Sequence, residues 1–172
     1  MRNVRLRLFV PGMSAHDAYA TLSDFGRYPE LSDAVQSVTV TEVAANVTVS
    51  TWDVTFRAGL LRWTEEDTFD PGALTIRFRQ LEGDIAVFEG SWECVDTVSD
   101  DTGTGDMGTG NTGAGSEIVF SVLLDMGIPS LADALEPIAV RTLIDNTVSI
   151  VRGLVGTAEV VASDVAVPAG SA

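Results

Sequence analysis

The spacing of apolar positions along the chain changes several times. Val4, Leu6, Leu8 and Val10 alternate with Arg5 and Arg7, the period of a strand with one buried face. Pro11-Gly12 ends that strand. Ser14 has the character of an N-cap, with Asp17 three residues on, and Ala15, Ala18, Tyr19 and Leu22 share one face of a short helix. In the run FGRYPEL, Gly26 and Pro29 act as breakers, and Pro29 can open a second short helix reaching about Ala34. From Val35 the period is two. Strands are expected near 35–44, 47–58, 61–70, 73–82, 85–98 and 117–125, with tight turns at Ala45-Asn46, Ala58-Gly59, Pro71-Gly72 and Gly83-Asp84.

The period becomes helical again at Ser130 and stays so to about Leu154. Val140, Leu143, Ile144, Thr147, Val151 and Leu154 form the apolar stripe; Arg141, Asp145, Asn146 and Arg152 take the other side. Pro137 is expected to kink or re-aim this helix. Residues 99–116, rich in Gly, Thr and Asp, read as a flexible loop. The order strand, two short helices, six strands, long helix predicts an α+β fold. A curved antiparallel sheet of about seven strands wraps a long C-terminal helix, each covering the other's apolar face. One domain is expected over 1–154, followed by a partly disordered tail over 155–172.

Composition narrows the function classes. The 172 residues allow one sizeable core. A formal charge of −15 opposes binding to nucleic acid or to anionic membranes. All ten basic residues are arginines, a bias that a GC-rich genome favours. The single cysteine, Cys94, excludes an intramolecular disulfide and a cysteine-cluster metal site. No apolar run is long enough to span a bilayer, and the N-terminal apolar stretch is too short for a signal peptide, so a cytoplasmic location is expected. His16, the only histidine, reads as a surface residue beside Asp17.

The chemistry centres on RWTEEDTFD, Arg62 to Asp70. Alternation puts Trp63, Glu65, Asp67 and Phe69 on one face, two carboxylates between two aromatics. If Pro71-Gly72 is a two-residue turn, that face pairs Phe69–Leu74, Asp67–Ile76, Glu65–Phe78 and Trp63–Gln80. The other pairs Glu66–Arg77 and Thr64–Arg79. A register slipped by one would make Glu65 and Asp67 surface partners of Arg77 and Arg79, but would spoil both faces; a bulge is a further way to close a Pro-Gly turn. Inward carboxylates are costly. Burial raises their pKa values, and a like charge about 7 Å away pushes one further, so that one stays protonated while the other ionises. That pairing suits removal of a proton beside a carbonyl with proton donation to an oxygen, as in aldol-type ring closure and dehydration. A water-filled cavity that solvates both groups is the plainer alternative.

Alternation adds Thr48, Ser50, Trp52, Val54 and Phe56 to the same face, with Phe88, Trp92 and Cys94, where Gly90 leaves room. The three tryptophans offer flat walls to a planar or polyketone ligand, although core packing also accounts for them. Gln80 and Ser121 are candidate hydrogen-bonding groups.

The segments FGRYPELSDAVQSVTV, LRWTEEDTFD, FEGSWECV and the final PSLADALEPIAVRTLIDNTVSIVRGL together resemble the START-like helix-grip superfamily, in particular its polyketide cyclase/aromatase and dehydrase branch. The resemblance covers about residues 3–154. It implies a deep cavity between sheet and helix that holds a poly-β-ketone, with no cofactor. It also implies a cavity-mouth role for Tyr28 and a cavity-wall role for Trp63. In the well-known aromatase/cyclases the position four residues after that tryptophan is an inward arginine; here it is Asp67, which points to a different ring closure. The expected site is therefore Asp67 and Glu65 for proton transfer, with Tyr28, Trp52, Trp63, Phe78, Gln80, Phe88 and Trp92 holding the ligand. The expected partners are a small polyketide or other hydrophobic substrate and, as a candidate, an acyl carrier protein; the chain is a monomer or homodimer. Two other classes fit the residues: a non-catalytic carrier of a quinone, lipid or polyketide, and a domain whose cavity its own side chains fill.

Overall fold

In the computed structural model, which describes residues 1–97 and 114–168, the chain folds as an eight-stranded antiparallel sheet curved around one long helix. The strands are β1 (Arg2–Pro11), β2 (Val35–Ala44), β3 (Val47–Phe56), β4 (Gly59–Asp70), β5 (Thr75–Gly83), β6 (Val87–Thr97), β7 (Gly115–Asp125) and β8 (Glu159–Ala166), in the order β2-β3-β4-β5-β6-β7-β1-β8. The helices are α1 (Ala15–Ser23), α2 (Tyr28–Leu31) and α3 (Ala132–Val155). The predicted loop falls almost wholly on residues outside those described.

The first strand and helix follow their pattern. Val4, Leu6, Leu8 and Val10 are buried, and Ser14 Oγ accepts the Asp17 amide at 3.1 Å to cap α1. Buried Ala15, Ala18, Tyr19 and Leu22 face the sheet, where Ile118, Phe120, Val122 and Leu124 of β7 complete the core with Val140 and Val151 of α3. Pro29 sits at the start of α2, whose proline lacks only an amide that the first turn would leave unpaired. The helix stops at Leu31, short of Ala34, because Ser32 turns extended. His16 is exposed, with Asp17 at 4.0 Å.

Beyond a β5–β6 connection of Asp84 to Ala86 in place of the expected Gly83-Asp84 turn, the sheet departs from expectation in three places. First, Glu159–Ala166 is not a loose tail; it pairs antiparallel with β1 from Asn3↔Ala166 to Phe9↔Glu159, giving eight strands rather than about seven. Almost every residue of β8 is exposed, so its order comes from backbone pairing and leaves no apolar alternation to read. Second, the β3–β4 turn is Arg57-Ala58, one residue earlier than expected, with Arg57 in the left-handed region at φ 55°. Third, the β4–β5 connection is four residues, Pro71 to Leu74. Asp70 Oδ1 accepts the amides of Gly72 at 3.1 Å and Ala73 at 2.9 Å, and Leu74 takes φ 53°. Asp67 therefore faces Phe78 and Glu65 faces Gln80, two positions from the two-residue-turn register, and a bulge after Thr64 lets Trp63 meet Gly83. A shift of two conserves the face of every side chain. Outside, Glu66 meets Arg79 at 3.6 Å instead of Arg77.

The long helix is anchored at both ends. Near its start, Glu136 is buried and accepts Arg2 Nε at 2.8 Å as well as the N-terminal amine. Near its end it crosses α2 at Gly153, where a Cβ would lie 1.9 Å from the Leu31 carbonyl oxygen. At that crossing there is no room for a side chain between the two backbones.

Candidate active site

Between the concave face and α3 lies a cavity of about 110 Å³, well above the roughly 10–15 Å³ that one water needs. Phe25, Tyr28, Trp52, Trp63, Phe78 and Phe88 wall its buried part; half-buried Thr55, Phe56, Leu61, Thr142 and Asn146 mark its rim.

Glu65 and Asp67 line this cavity, at 6% and 0% exposure. They are inward, as β4 alternation predicts. Their polar partners differ. Asp67 Oδ2 accepts the Ser50 hydroxyl at 2.5 Å and the Thr48 hydroxyl at 3.4 Å; Ser50 Oγ in turn accepts the Trp52 indole N–H at 2.7 Å. Glu65 Oε2 accepts the Trp63 indole N–H at 2.6 Å. Among the described residues, no hydroxyl or N–H group donates to the buried Asp67 Oδ1. The indoles thus do more than supply flat walls. They stack at 6.2 Å as a cross-strand pair, and each N–H is committed to the polar centre.

Electrostatics separates the two acids. Burial, then repulsion from Asp67, lifts Glu65 well above the ordinary carboxylate range against the opposing pull of the Trp63 N–H. Burial lifts Asp67 to about 6, and the hydroxyl of Ser50 restrains the rise. Both acids are held above their ordinary range, Glu65 the more strongly. The sign for stability follows. The folded chain holds Asp67's proton above the ordinary carboxylate pKa of 3.8, so stability falls as pH rises from 3.8 to about 6. Urea titrations at pH 4 and pH 7 are expected to show that decline beside the other ionisations, and Asp67→Asn is expected to remove this part of it.

The other expected residues divide. Tyr28, Trp52, Trp63, Phe78, Phe88 and Trp92 line the cavity. Tyr28 stands in the buried wall rather than at the mouth that the resemblance implied, and its hydroxyl is already used, donating to the Leu22 carbonyl at 2.6 Å, which ties α2 to α1. Gln80, directly opposite Glu65, does not line the cavity; its amide is taken up by the Ile85 carbonyl across the β5–β6 turn. Ser121 belongs to the outer face, opposite Arg5 and Ser91. Gly90 leaves room as expected: a Cβ there would meet the Ser121 carbonyl oxygen at 2.0 Å and the Phe78 ring at 2.9 Å.

Pattern reading missed Phe25 and most of the α3 contribution. Asn146, expected on the solvent side, lines the rim, and its Nδ2 donates to the Thr55 carbonyl at 2.7 Å. Ala139, Thr142, Leu143, Asn146, Thr147 and Ile150 form the helix face over the cavity. That stripe is rotated from the purely apolar one, and its spacing of three and four was the available signal. Among the described residues no cluster of His, Cys, Asp and Glu is arranged to hold a metal ion, and no helix is long and apolar enough to cross a membrane.

Residues 12–148 match the family described as polyketide cyclase / dehydrase and lipid transport, and the chain belongs to that family. Solved structures share its fold. A protein of Thermus thermophilus superposes with TM-score 0.72 at 23% identity, over 90% of this chain and 94% of that one. The Zhui aromatase/cyclase from Streptomyces sp. R1128 gives 0.68 at 15%, over 91% and 93%. A START superfamily protein from Mycobacterium smegmatis gives 0.63 at 16%, over 91% and 98%. At these identities the likeness is one of fold. No curated protein matches the sequence.

Proposed function

We propose that this protein binds a poly-β-ketone or related apolar carbonyl compound in the cavity and promotes ring closure, dehydration or both. The observation that carries this reading is the pair of buried carboxyls with unequal partners at the wall of an otherwise apolar cavity. Asp67, ionised at neutral pH, takes a proton from the carbon beside a carbonyl. The resulting carbanion attacks a second carbonyl of the same chain, and Glu65 delivers its proton to the oxygen that becomes a hydroxyl, or later to the hydroxyl that leaves as water. The stacked Trp52 and Trp63 and the ring of Phe88 hold the chain folded against the acids. An acyl carrier protein is the candidate donor of such a chain, and the cytoplasm its expected location. Family membership supports the substrate class, since a cyclase of known structure has this fold.

A second reading is a carrier of an apolar ligand. The predominantly apolar lining favours it, as does a family that includes lipid transport. Two pH profiles separate them. An enzyme is expected to show kcat/KM on a β-ketone rising through about pH 6, where Asp67 ionises, and falling at higher pH as Glu65 gives up its proton. A carrier shows affinity without turnover across the same range. A rate profile with no acid limb near pH 6 would remove Asp67 from its assigned role.

A further inference from the structure

The number of protons held by the buried acid pair is set by exchange with water, and two hydroxyls meet Asp67 away from the cavity. Thr48 and Ser50 touch Asp67 but do not line the cavity, so they stand behind the carboxyl relative to the ligand space. Ser50 is fully buried and leads no further than the Trp52 indole. Thr48 is half-buried. It is the direct cross-strand partner of Asp67 on one side and of Glu42 on the other. Direct partners share a face and hold their Cβ atoms about 4.5–5.5 Å apart. Glu42 lies on the edge strand β2 and is exposed, and its neighbour on that face, Val40, is 43% exposed, so this corner of the concave face is open to water.

We infer that the cross-strand row Glu42, Thr48, Asp67 is a proton path that reloads and unloads the buried carboxyl while a ligand fills the cavity. The inference rests on the proton-handling role proposed for Asp67. When Asp67 carries a proton, a half-turn of the carboxyl about Cβ–Cγ presents the protonated oxygen to Thr48; that torsion is two-fold and broad. The acid proton passes to Thr48 Oγ1 as the hydroxyl's own proton passes to water or to the Glu42 carboxylate. Asp67 returns to its anion, and the threonine is unchanged. Within a turnover the proton gained by Asp67 replaces the one given up by Glu65 through transfer between the two acids, so the row sets the pair's proton count against bulk water rather than closing the cycle. The other titratable groups near Asp67 offer no such exit. Glu65 on its own strand, Tyr28 of α2 and Cys94 of β6 are all buried, and Glu66 points to the opposite face, where it meets Arg79.

The test follows the protonation of Asp67 by infrared spectroscopy after a pH jump, with the band assigned by its loss in Asp67→Asn. The cavity is filled with the neutral apolar probe N-phenyl-1-naphthylamine. In the unaltered protein the rate is expected to stay within about twofold when the probe is bound. In Thr48→Val, which keeps the shape and removes the hydroxyl, the probe-bound rate is expected to drop by at least about tenfold, and Thr48→Ser restores it. Glu42→Gln, at an exposed position, is expected to slow exchange by about two- to fivefold. If Thr48→Val does not fold, Thr48→Ala takes its place in the comparison. Equal probe-bound rates with and without the threonine hydroxyl overturn the proton path but leave the role of Asp67 standing. Failure of the probe to bind instead overturns the reading of the cavity, and this inference with it.

Discussion

Replacing Asp67 by Asn is expected to lower turnover of a β-ketone by about 10²–10⁴-fold, the range that a positioned acid or base contributes. The amide has almost the volume of the carboxyl, so the cavity and its stacked indoles should survive, and its carbonyl oxygen can still accept the Ser50 hydroxyl. What it loses is the ability to take a proton. Ligand affinity is therefore expected to change by no more than a few fold. Stability at pH 7 should not fall, since the substitution removes a buried anion whose ionisation is opposed by burial. Single-turnover product analysis, ligand titration and a thermal melt of the same sample check all three. Undiminished ring closure would mean that the chemistry is elsewhere.

Replacing Gly153 by Ala is expected to cost about 3 kcal/mol, the scale of a severe overpacking, and to lower Tm by roughly 10 °C. An alanine in an exposed helix interior would gain about 1 kcal/mol over glycine, so the prediction has a definite sign against propensity. Its cause is the 1.9 Å approach of the added Cβ to the Leu31 carbonyl oxygen, a backbone atom with no rotamer to move. To relieve it α3 must rise from α2, which widens the cavity beneath it. Calorimetry measures the loss, and a stabilised variant would show that the helix sits farther from α2 than described.

Legibility followed burial. β1 and α1 have one face in the core and one in water, and their alternation and helical spacing were sufficient to place Leu6, Leu8 and Leu22. The acids could be read for the same reason: Trp63, Glu65 and Asp67 share a parity that the intervening residues break. β8 carries no such contrast, because both its faces are wet and it is held by hydrogen bonds to β1. The turn after Asp70 was misjudged because an aspartate bonding two amides ahead stabilises a longer loop than Pro-Gly alone suggests. Ser50 was placed on the correct face, yet its task was hidden. It stands directly opposite Glu65 but bonds diagonally to Asp67, a choice made by side-chain torsions. Asn146 escaped for a related reason: a polar residue on a helix reads as solvent-facing unless its partner, here the Thr55 carbonyl, is known.

The four-residue hairpin after Asp70 has a bearing on how this scaffold can vary. Lengthening or trimming that corner by a pair of residues slides β4 along β5 without turning any ring or acid away from the ligand, whereas a single added residue inverts the whole ribbon. Natural and engineered relatives should therefore tolerate length changes at that corner in twos. The hollow can then be deepened or made shallower in steps of one pleat, with its chemistry still aimed inward.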